Sequence, residues 1–249
     1  MINLESKRIL ITGASSGIGR AVAQQAASLG ASLILLGRNN ERLKATYDSL
    51  QGTGHEYYSV DITDYTQVEE IIRSSVANAG FINGFVHCAG IEKTTSFKAS
   101  TTKLFKEIFE INVFAGFEIA RLLSQKKIVN PTGASQVFIS SVNARLGGVG
   151  KIMYCSSKSA LLSGVKAMAL ELAIKKISCN CVLPGYVNTE MVKKLFDSIS
   201  AEAKQEIINK HPLGIGEPED VAFLVCFLLS DKAKWITGSE YVIDGGYSA

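Results

Sequence analysis

Arg8-Ile-Leu-Ile-Thr-Gly-Ala-Ser-Ser-Gly-Ile-Gly19 decides how the rest of the chain is read. Ile9, Leu10 and Ile11 form a short apolar run of the kind that makes a strand buried on both faces. Thr12-Gly13 breaks the run, and Gly17-Ile18-Gly19 opens an Ala-rich helical segment that reaches about Leu29. Strand, glycine turn and helix in that order make a nucleotide-phosphate site. Glycine lets the backbone approach a pyrophosphate without a Cβ clash. The unpaired amides of the helix start, at the positive end of its dipole, face the anion. The plainer alternative is a tight strand-to-helix turn that needs glycine only for its φ angles. Three glycines between an apolar strand and a helix favour the phosphate site.

Working outward, apolar strands alternate with helical patterns along the whole chain. This predicts an α/β protein: a single-domain, doubly wound parallel sheet of about seven strands, Rossmann-type, with helices on both faces. After the first strand come Ser32–Leu36, Glu56–Val60, Gly84–Cys88, Gln136–Ile139, Ser178–Leu183 and Tyr241–Ile243. The helical patterns are Glu41–Leu50, Gln67–Asn78, Thr102–Lys126, Met153–Lys175 and Asp220–Leu229. No repeat, low-complexity tract or linker interrupts them, so residues 1–249 read as one domain. At 249 residues and 47% hydrophobic, the chain has ample material for one core.

Lys+Arg 26 against Asp+Glu 23 is nearly balanced and gives no electrostatic reason to expect nucleic acid or an anionic membrane as partner. The longest apolar stretch, around Val221–Leu229, falls short of the ~18 residues of a spanning helix. Glu5, Lys7 and Arg8 bracket the start of the first strand, so no signal peptide is expected there. The 5 cysteines are odd in number, scattered and set in apolar surroundings, which predicts free thiols in a reducing cytoplasm. No spacing of Cys and His suggests a metal site.

Tyr154-Cys-Ser-Ser-Lys158 is the second informative stretch. Residues four apart are neighbours on a helix, and at about 100° per residue Tyr154 and Lys158 align with Leu161, Val165, Met168 and Leu172. A lysine in line with an apolar stripe must be paired or line a cavity, because an unpartnered buried ammonium costs several kcal/mol. A phenol of ordinary pKa near ~10 is a poor acid–base catalyst at neutral pH. An ammonium ~5 Å away at an effective dielectric of ~20 favours the phenolate by about 3 kcal/mol, or roughly two pKa units. Ser141 precedes Tyr154 by 13 positions (154 − 141) and follows the strand Gln136–Ile139, at the same strand-end rim. Strand alternation aims its neighbour Ser140 elsewhere.

Thr12-Gly13-x-x-x-Gly17-x-Gly19 together with Asn112, Ser141, Tyr154 and Lys158 resembles the cofactor turn and catalytic tetrad of the short-chain dehydrogenase/reductase family. The run from His211-Pro-Leu-Gly through Glu217-Pro-Glu-Asp-Val-Ala to Ile236-Thr-Gly and Asp244-Gly-Gly resembles the 3-oxoacyl-[acyl-carrier-protein] reductase branch. The resemblance implies an enzyme in which Tyr154 gives a substrate carbonyl oxygen its proton as hydride arrives from a nicotinamide. It assigns Ser141 to hydrogen-bond that oxygen, Lys158 to hold the nicotinamide ribose, and Asn112 to order a proton-relaying water. Cofactor contacts are implied for Gly13, Ser15, Ser16, Gly17, Ile18, Gly19, Asp61, Ile62, Ala89 and Gly90, and for Tyr154 and Lys158. Pro184, Gly185, Val187 and Thr189 resemble the loop that clasps the nicotinamide amide.

Cofactor choice turns on the end of the second strand. An acid about 20 residues after the glycine turn would bond the ribose 2′-hydroxyl of NAD. Leu36-Gly37-Arg38-Asn39 has no carboxylate there, and the planar cation of Arg38 suits a 2′-phosphate, which favours NADP(H) over NAD(H). The alternative for Arg38 is a solvated turn position, and for Asp61 or Asp64 an N-cap of the next helix. His87-Cys88 stands where the family usually has Asn-Asn; His87 reads as a structural substitute rather than a base. An enoyl reductase would need a lysine at 161, where Leu161 stands.

Residues from about 189 to 212 resemble the family's substrate lid, with a purely structural helical pair as the alternative. An acyl-thioester substrate on an acyl-carrier protein is implied as partner, with Lys175-Lys176 as the basic residues near the site. The small residues Ser159, Ala160, Ser163 and Ala167 predict a helix face that packs on a second subunit of a dimer or tetramer. The expected activity is NADPH-dependent reduction of a 3-oxoacyl thioester. The same chemistry on a sugar, polyol or cyclic ketone, and a non-catalytic dinucleotide-binding regulator, are the competing readings.

Overall fold

The computed structural model describes residues 2–249. Seven parallel strands run in the order β3-β2-β1-β4-β5-β6-β7: β1 Arg8–Thr12, β2 Ser32–Gly37, β3 Glu56–Ser59, β4 Gly84–His87, β5 Ala134–Ile139, β6 Ile177–Pro184 and β7 Glu240–Ile243. β1, β4 and most of β2 and β6 are buried along their whole length, as strands covered on both faces must be. One face carries α1 (Gly17–Ser28) and α9 (Pro218–Leu229), which close a core around Ile9, Ile11, Leu33 and Leu35. α2 (Asn40–Asp48) adds Leu43 to the same core. The opposite face carries α3 (Tyr65–Ala79), α5 (Ala115–Leu123) and α6 (Ile152–Leu172), packed on Leu10, Phe85 and Phe138.

Strand order reverses between β1 and β4, so the connections leaving their paired carboxyl ends run to opposite faces of the sheet and open the crevice where open α/β sheets bind ligands. Local signals set the helix starts. The Asn39 and Asp64 side chains accept from the Arg42 and Gln67 amides. Pro218 sits in the first turn of α9, where Glu217 and Asp220 complete a capping box.

The pattern Thr102–Lys126, read as one helix, is three pieces. α4 (Thr102–Phe109) passes into a π-helical stretch, Glu110–Phe114, before α5. The wide turn admits an extra residue and directs the fully buried Asn112 toward the crevice side. α6 likewise stops at Leu172; Ala173–Lys175 tightens into a 3-10 turn, and Lys176 takes a left-handed φ of 58° before β6 begins. The small-residue face of α6 is also only partly open. Ala160 packs into the core, Ser159 donates to the Ala144 carbonyl at 2.6 Å, and Gly164 lies against the Phe117 ring. Ser163, Ala167 and Leu170 remain exposed.

Candidate active site

Backbone comes first in this cleft. Gly13 and Gly17 hold φ of +68° and +51°, the left-handed region that glycine enters without strain. A Cβ on Gly13 would stand 2.8 Å from the Ala89 amide nitrogen, and one on Gly19 would run into the Gly13 carbonyl oxygen. The ends of β1 and β4 and the start of α1 are therefore packed backbone to backbone. Ser16 precedes α1 in an extended conformation and makes no side-chain cap bond, so the leading amides of α1 are left for an anion. A cleft of about 630 Å³ runs from here to residues within Glu190–Ser198.

At one end of that cleft stand Arg38, Asp61 and Ile62. Arg38 is exposed beyond β2. Asp64 caps α3, whereas Asp61 accepts from the Thr63 amide and hydroxyl at 3.0 and 2.8 Å and faces the cleft. Those bonds, chiefly the amide one, hold the Asp61 carboxyl below its usual range, and Arg38 adds to the effect.

At the other end the sequence-predicted quartet is brought together. Ser141, Tyr154 and Lys158 line the cleft; all are buried, and Lys158 is only 4% exposed. The Lys158 ammonium donates to the Ile139 carbonyl at 2.8 Å and lies 5.8 Å from the Tyr154 ring centroid. Ser140 turns the other way and donates to the Lys158 carbonyl at 2.8 Å, while the Ser141 hydroxyl accepts from the Asn143 amide at 3.1 Å. Asn112 accepts from the Ile91 amide at 2.8 Å and donates to the Ile91 carbonyl and the Ser157 hydroxyl. A Cβ on Gly90 would stand 3.3 Å from both Asn112 Oδ1 and Lys158 Nζ, so the two polar groups share one backbone wall.

The electrostatics differ from the sequence expectation. Burial pushes Tyr154 above its ordinary value, the Glu92 charge adds to this, and only the Ser141 hydroxyl opposes it among the leading influences. Lys158 does not lead the balance: burial drives its own pKa down to about 8. Stripping water from the phenolate outweighs a cation beyond the ring face, an effect no helical spacing reveals.

His87 is a strut. Its Nδ1 lies 3.0 Å from the Thr12 hydroxyl, which also accepts from the Ala89 amide at 3.2 Å, tying the ends of β1 and β4 together. It is fully buried, its pKa is lowered to about 3 mainly by desolvation, and its Nε2 has no partner among the described residues. A Cβ on Gly116 would meet the ring at 2.7 Å, so Gly116 is what makes room for the imidazole.

Pro184, Gly185, Val187 and Thr189 all line the cleft at and beyond the end of β6, and Thr189 also caps α7 (Glu190–Ser198). Lys175 and Lys176 do not belong near the site. They precede β6, whose 8 residues at ~3.3 Å each put them about 26 Å from Pro184, at the opposite end of the sheet. Lys176 lines a separate cavity there with Trp235, and Lys175 donates to the Ser124 carbonyl. Glu92, Lys151 and Tyr186 are among the cleft residues that carried no earlier assignment. Position offered a signal, since Lys151 precedes Tyr154 by less than one helical turn and Glu92 follows Gly90 by two.

An open parallel sheet with a glycine turn, a reversal of strand order and a buried Tyr–Lys pair at its carboxyl rim is a dinucleotide-binding α/β protein. A family model described as Enoyl-(Acyl carrier protein) reductase matches residues 13–248. The 3-oxoacyl-[acyl-carrier-protein] reductase FabG of Rickettsia bellii is 36% identical over 247 residues, covering 99% of this chain and 98% of the relative. The L-rhamnose 1-dehydrogenase (NAD(P)(+)) of a Sphingomonas species is 31% identical over 248 residues, with 98% and 96% covered. Among solved structures, a short-chain type dehydrogenase/reductase from Mycobacterium marinum superposes with a TM-score of 0.91 at 32% identity, covering 100% of this chain and 98% of that one. A 7α-hydroxysteroid dehydrogenase complexed with NADH and 7-oxo glycochenodeoxycholic acid gives a TM-score of 0.90 at 27% identity, with 98% and 95% covered. The chain belongs to the short-chain dehydrogenase/reductase family, oxidoreductases that bind a nicotinamide dinucleotide and act on CH–OH and C=O groups.

Proposed function

We propose that the protein is an NADPH-dependent carbonyl reductase whose substrate is a 3-oxoacyl thioester, carried in the cell on an acyl-carrier protein. One observation carries the reading: a phenol, a serine hydroxyl and an ammonium line the same cleft as a glycine cradle that leaves no room for a Cβ. The full-length likeness to 3-oxoacyl-[acyl-carrier-protein] reductases supports the thioester. The cradle at Gly13, Gly17 and Gly19, with the free amides of α1, fits a pyrophosphate, and Arg38 at the open end suits a 2′-phosphate. When bound, the nicotinamide supplies the hydride.

The chain's own residues then do the rest. Ser141 hydrogen-bonds the substrate carbonyl oxygen and fixes it near Tyr154. Tyr154 is held protonated by burial, the form an acid needs, and its O–H delivers the proton to that oxygen as negative charge develops there. Lys158, anchored on the Ile139 carbonyl, holds the ribose and returns the proton to the phenolate. Asn112 pins the Ile91 backbone and takes the water-ordering role beside Lys158. α7 and α8 (Ala201–Asn209) form the substrate lid of a single domain spanning residues 1–249. The exposed strip Ser163, Ala167 and Leu170 on α6 serves contact with a second copy, which sedimentation at micromolar concentration tests. The protein works in the cytoplasm.

The test is NADPH oxidation with acetoacetyl thioesters, simple ketones and sugars. Tyr154→Phe removes the proton and is expected to lower kcat about 10²- to 10⁴-fold while dinucleotide binding persists. Turnover that survives the change would refute the mechanism. The rhamnose dehydrogenase relative favours a second reading, a sugar or polyol dehydrogenase, and a sugar preference in the same panel would select it.

A further inference from the structure

Two cleft residues have no task in the mechanism above. Glu92 lies two positions beyond Gly90, and Lys151 is the residue before α6, the helix that carries Tyr154. Their side chains meet at 2.7 Å and are only 17% and 11% exposed. The Lys151 ammonium also lies 5.5 Å from the centroid of the Tyr186 ring, and the Thr94 hydroxyl donates to the Glu92 carboxylate at 3.4 Å. Burial works against the Lys151 charge, but the hydrogen bond and field of Glu92 prevail and hold its pKa above the ordinary value. A full ion pair, neutral in sum, therefore lines the cleft that also holds Ser141 and Tyr154. Gly90, two residues before Glu92, stands against the Lys158 ammonium, and Lys151 comes three residues before Tyr154, which places the pair at the reacting end rather than the Arg38 end.

Stability alone does not account for it. A sheltered ion pair is commonly no better for the fold than apolar side chains of the same volume. What it changes is the surface offered to a substrate. An ammonium has three N–H donors and a carboxylate about four acceptor positions, and the mutual contact, together with the Thr94 and Tyr186 hydroxyls, leaves some of each open. A hydroxyl or amide laid there restores the bonds that water made. A methylene chain laid there strips the water and restores nothing.

We propose that Glu92 and Lys151 form a polar subsite that takes a hydroxyl or amide group of the substrate beside its reacting carbonyl and turns away a long unsubstituted alkyl chain. This rests on the carbonyl-reductase reading of the same cleft and narrows its substrate class. Short 3-oxoacyl thioesters and hydroxylated ketones are accepted, and long-chain acyl groups are disfavoured.

The experiment measures kcat/KM on two substrate pairs. One sets acetoacetyl against 3-oxododecanoyl thioester of N-acetylcysteamine. The other sets a hydroxylated ketone against the unsubstituted ketone of equal carbon count. The unaltered enzyme prefers the first of each pair by about 10- to 100-fold, the range expected when buried polar groups lose their partners. Glu92→Leu combined with Lys151→Met collapses that ratio. Glu92→Gln combined with Lys151→Gln keeps hydrogen bonding without charge and retains most of it. Thermal melting and dinucleotide titration report whether each variant is folded. Equal activity on both members of each pair overturns the subsite using the unaltered enzyme alone, and so does a Leu/Met variant with an unchanged ratio. If no thioester reacts while the hydroxylated ketone outpaces its bare analogue, the thioester reading falls and the subsite stands.

Discussion

Replacing His87 changes how the fold responds to acid, by an amount the structure sets. The imidazole is fully buried, held on the Thr12 hydroxyl, with its pKa lowered to about 3 by desolvation first and the Lys158 charge second. In the unfolded chain the same ring titrates near ~6.5. Between those values the unfolded state binds a proton that the folded state refuses, so stability rises with pH there and is lost as pH falls below ~6.5. For one such group the loss from pH 7 to pH 5 is about 2 kcal/mol, and it steepens to about 1.4 kcal/mol per further pH unit. Urea unfolding at pH 7 and pH 5 measures it, comparing the unaltered protein with His87→Asn, which keeps a polar group facing Thr12 but does not titrate. Carboxylates and the other two histidines contribute equally to both proteins and cancel in the difference. The variant is expected to start less stable at pH 7, because the shorter side chain leaves space beside Gly116, and to lose about 2 kcal/mol less on going to pH 5. Parallel losses in the two proteins would mean that His87 is not a neutral buried strut.

Arg38→Ala removes the cation that the proposed function assigns to a 2′-phosphate at the Asp61 end of the cleft. Charge-assisted hydrogen bonds of ~1.5–3 kcal/mol translate into about a 10- to 100-fold fall in the NADPH-to-NADH ratio of kcat/KM. An unchanged ratio, or an unaltered enzyme that prefers NADH, would end the role given to Arg38. Gly19→Ala drives a Cβ into the Gly13 carbonyl, and backbone cannot swing aside as a side chain can. Overpacking of this kind costs about 1–3 kcal/mol, so melting temperature falls and dinucleotide affinity, read by fluorescence titration, drops with it. Full affinity in a stable Gly19→Ala protein would show that the turn has slack.

Much of this protein was legible in one dimension because its determinants are local. The strand–glycine–helix opening, the alternation of strands and helices, and the one-turn spacing of Tyr154 and Lys158 depend on nearest neighbours and helical geometry, and each appears in the structure where the pattern puts it. Strand ends were less secure, since a strand such as β6 stops where its partners stop: Cys181–Pro184 continue because β7 pairs with them. The break in Thr102–Lys126 is not local either. A π turn costs backbone geometry and persists because Asn112, once turned inward, bonds the Ile91 backbone and Ser157 from distant parts of the chain.

Tertiary structure alone decided the electrostatics and the neighbours. Lys175-Lys176 read as basic residues near a site until the direction of β6 carried them to the far end of the sheet. Tyr154 was expected to be lowered by Lys158, yet desolvation, which depends on every atom packed around the phenol, raised it instead. Glu92 and Lys151 stand 59 positions apart (151 − 92), and nothing in either segment names the other. Local pattern determines which elements form and which side chains share a helix face. Burial, charge balance and contact between remote segments exist only after the sheet has closed, and they fix what the cleft can bind.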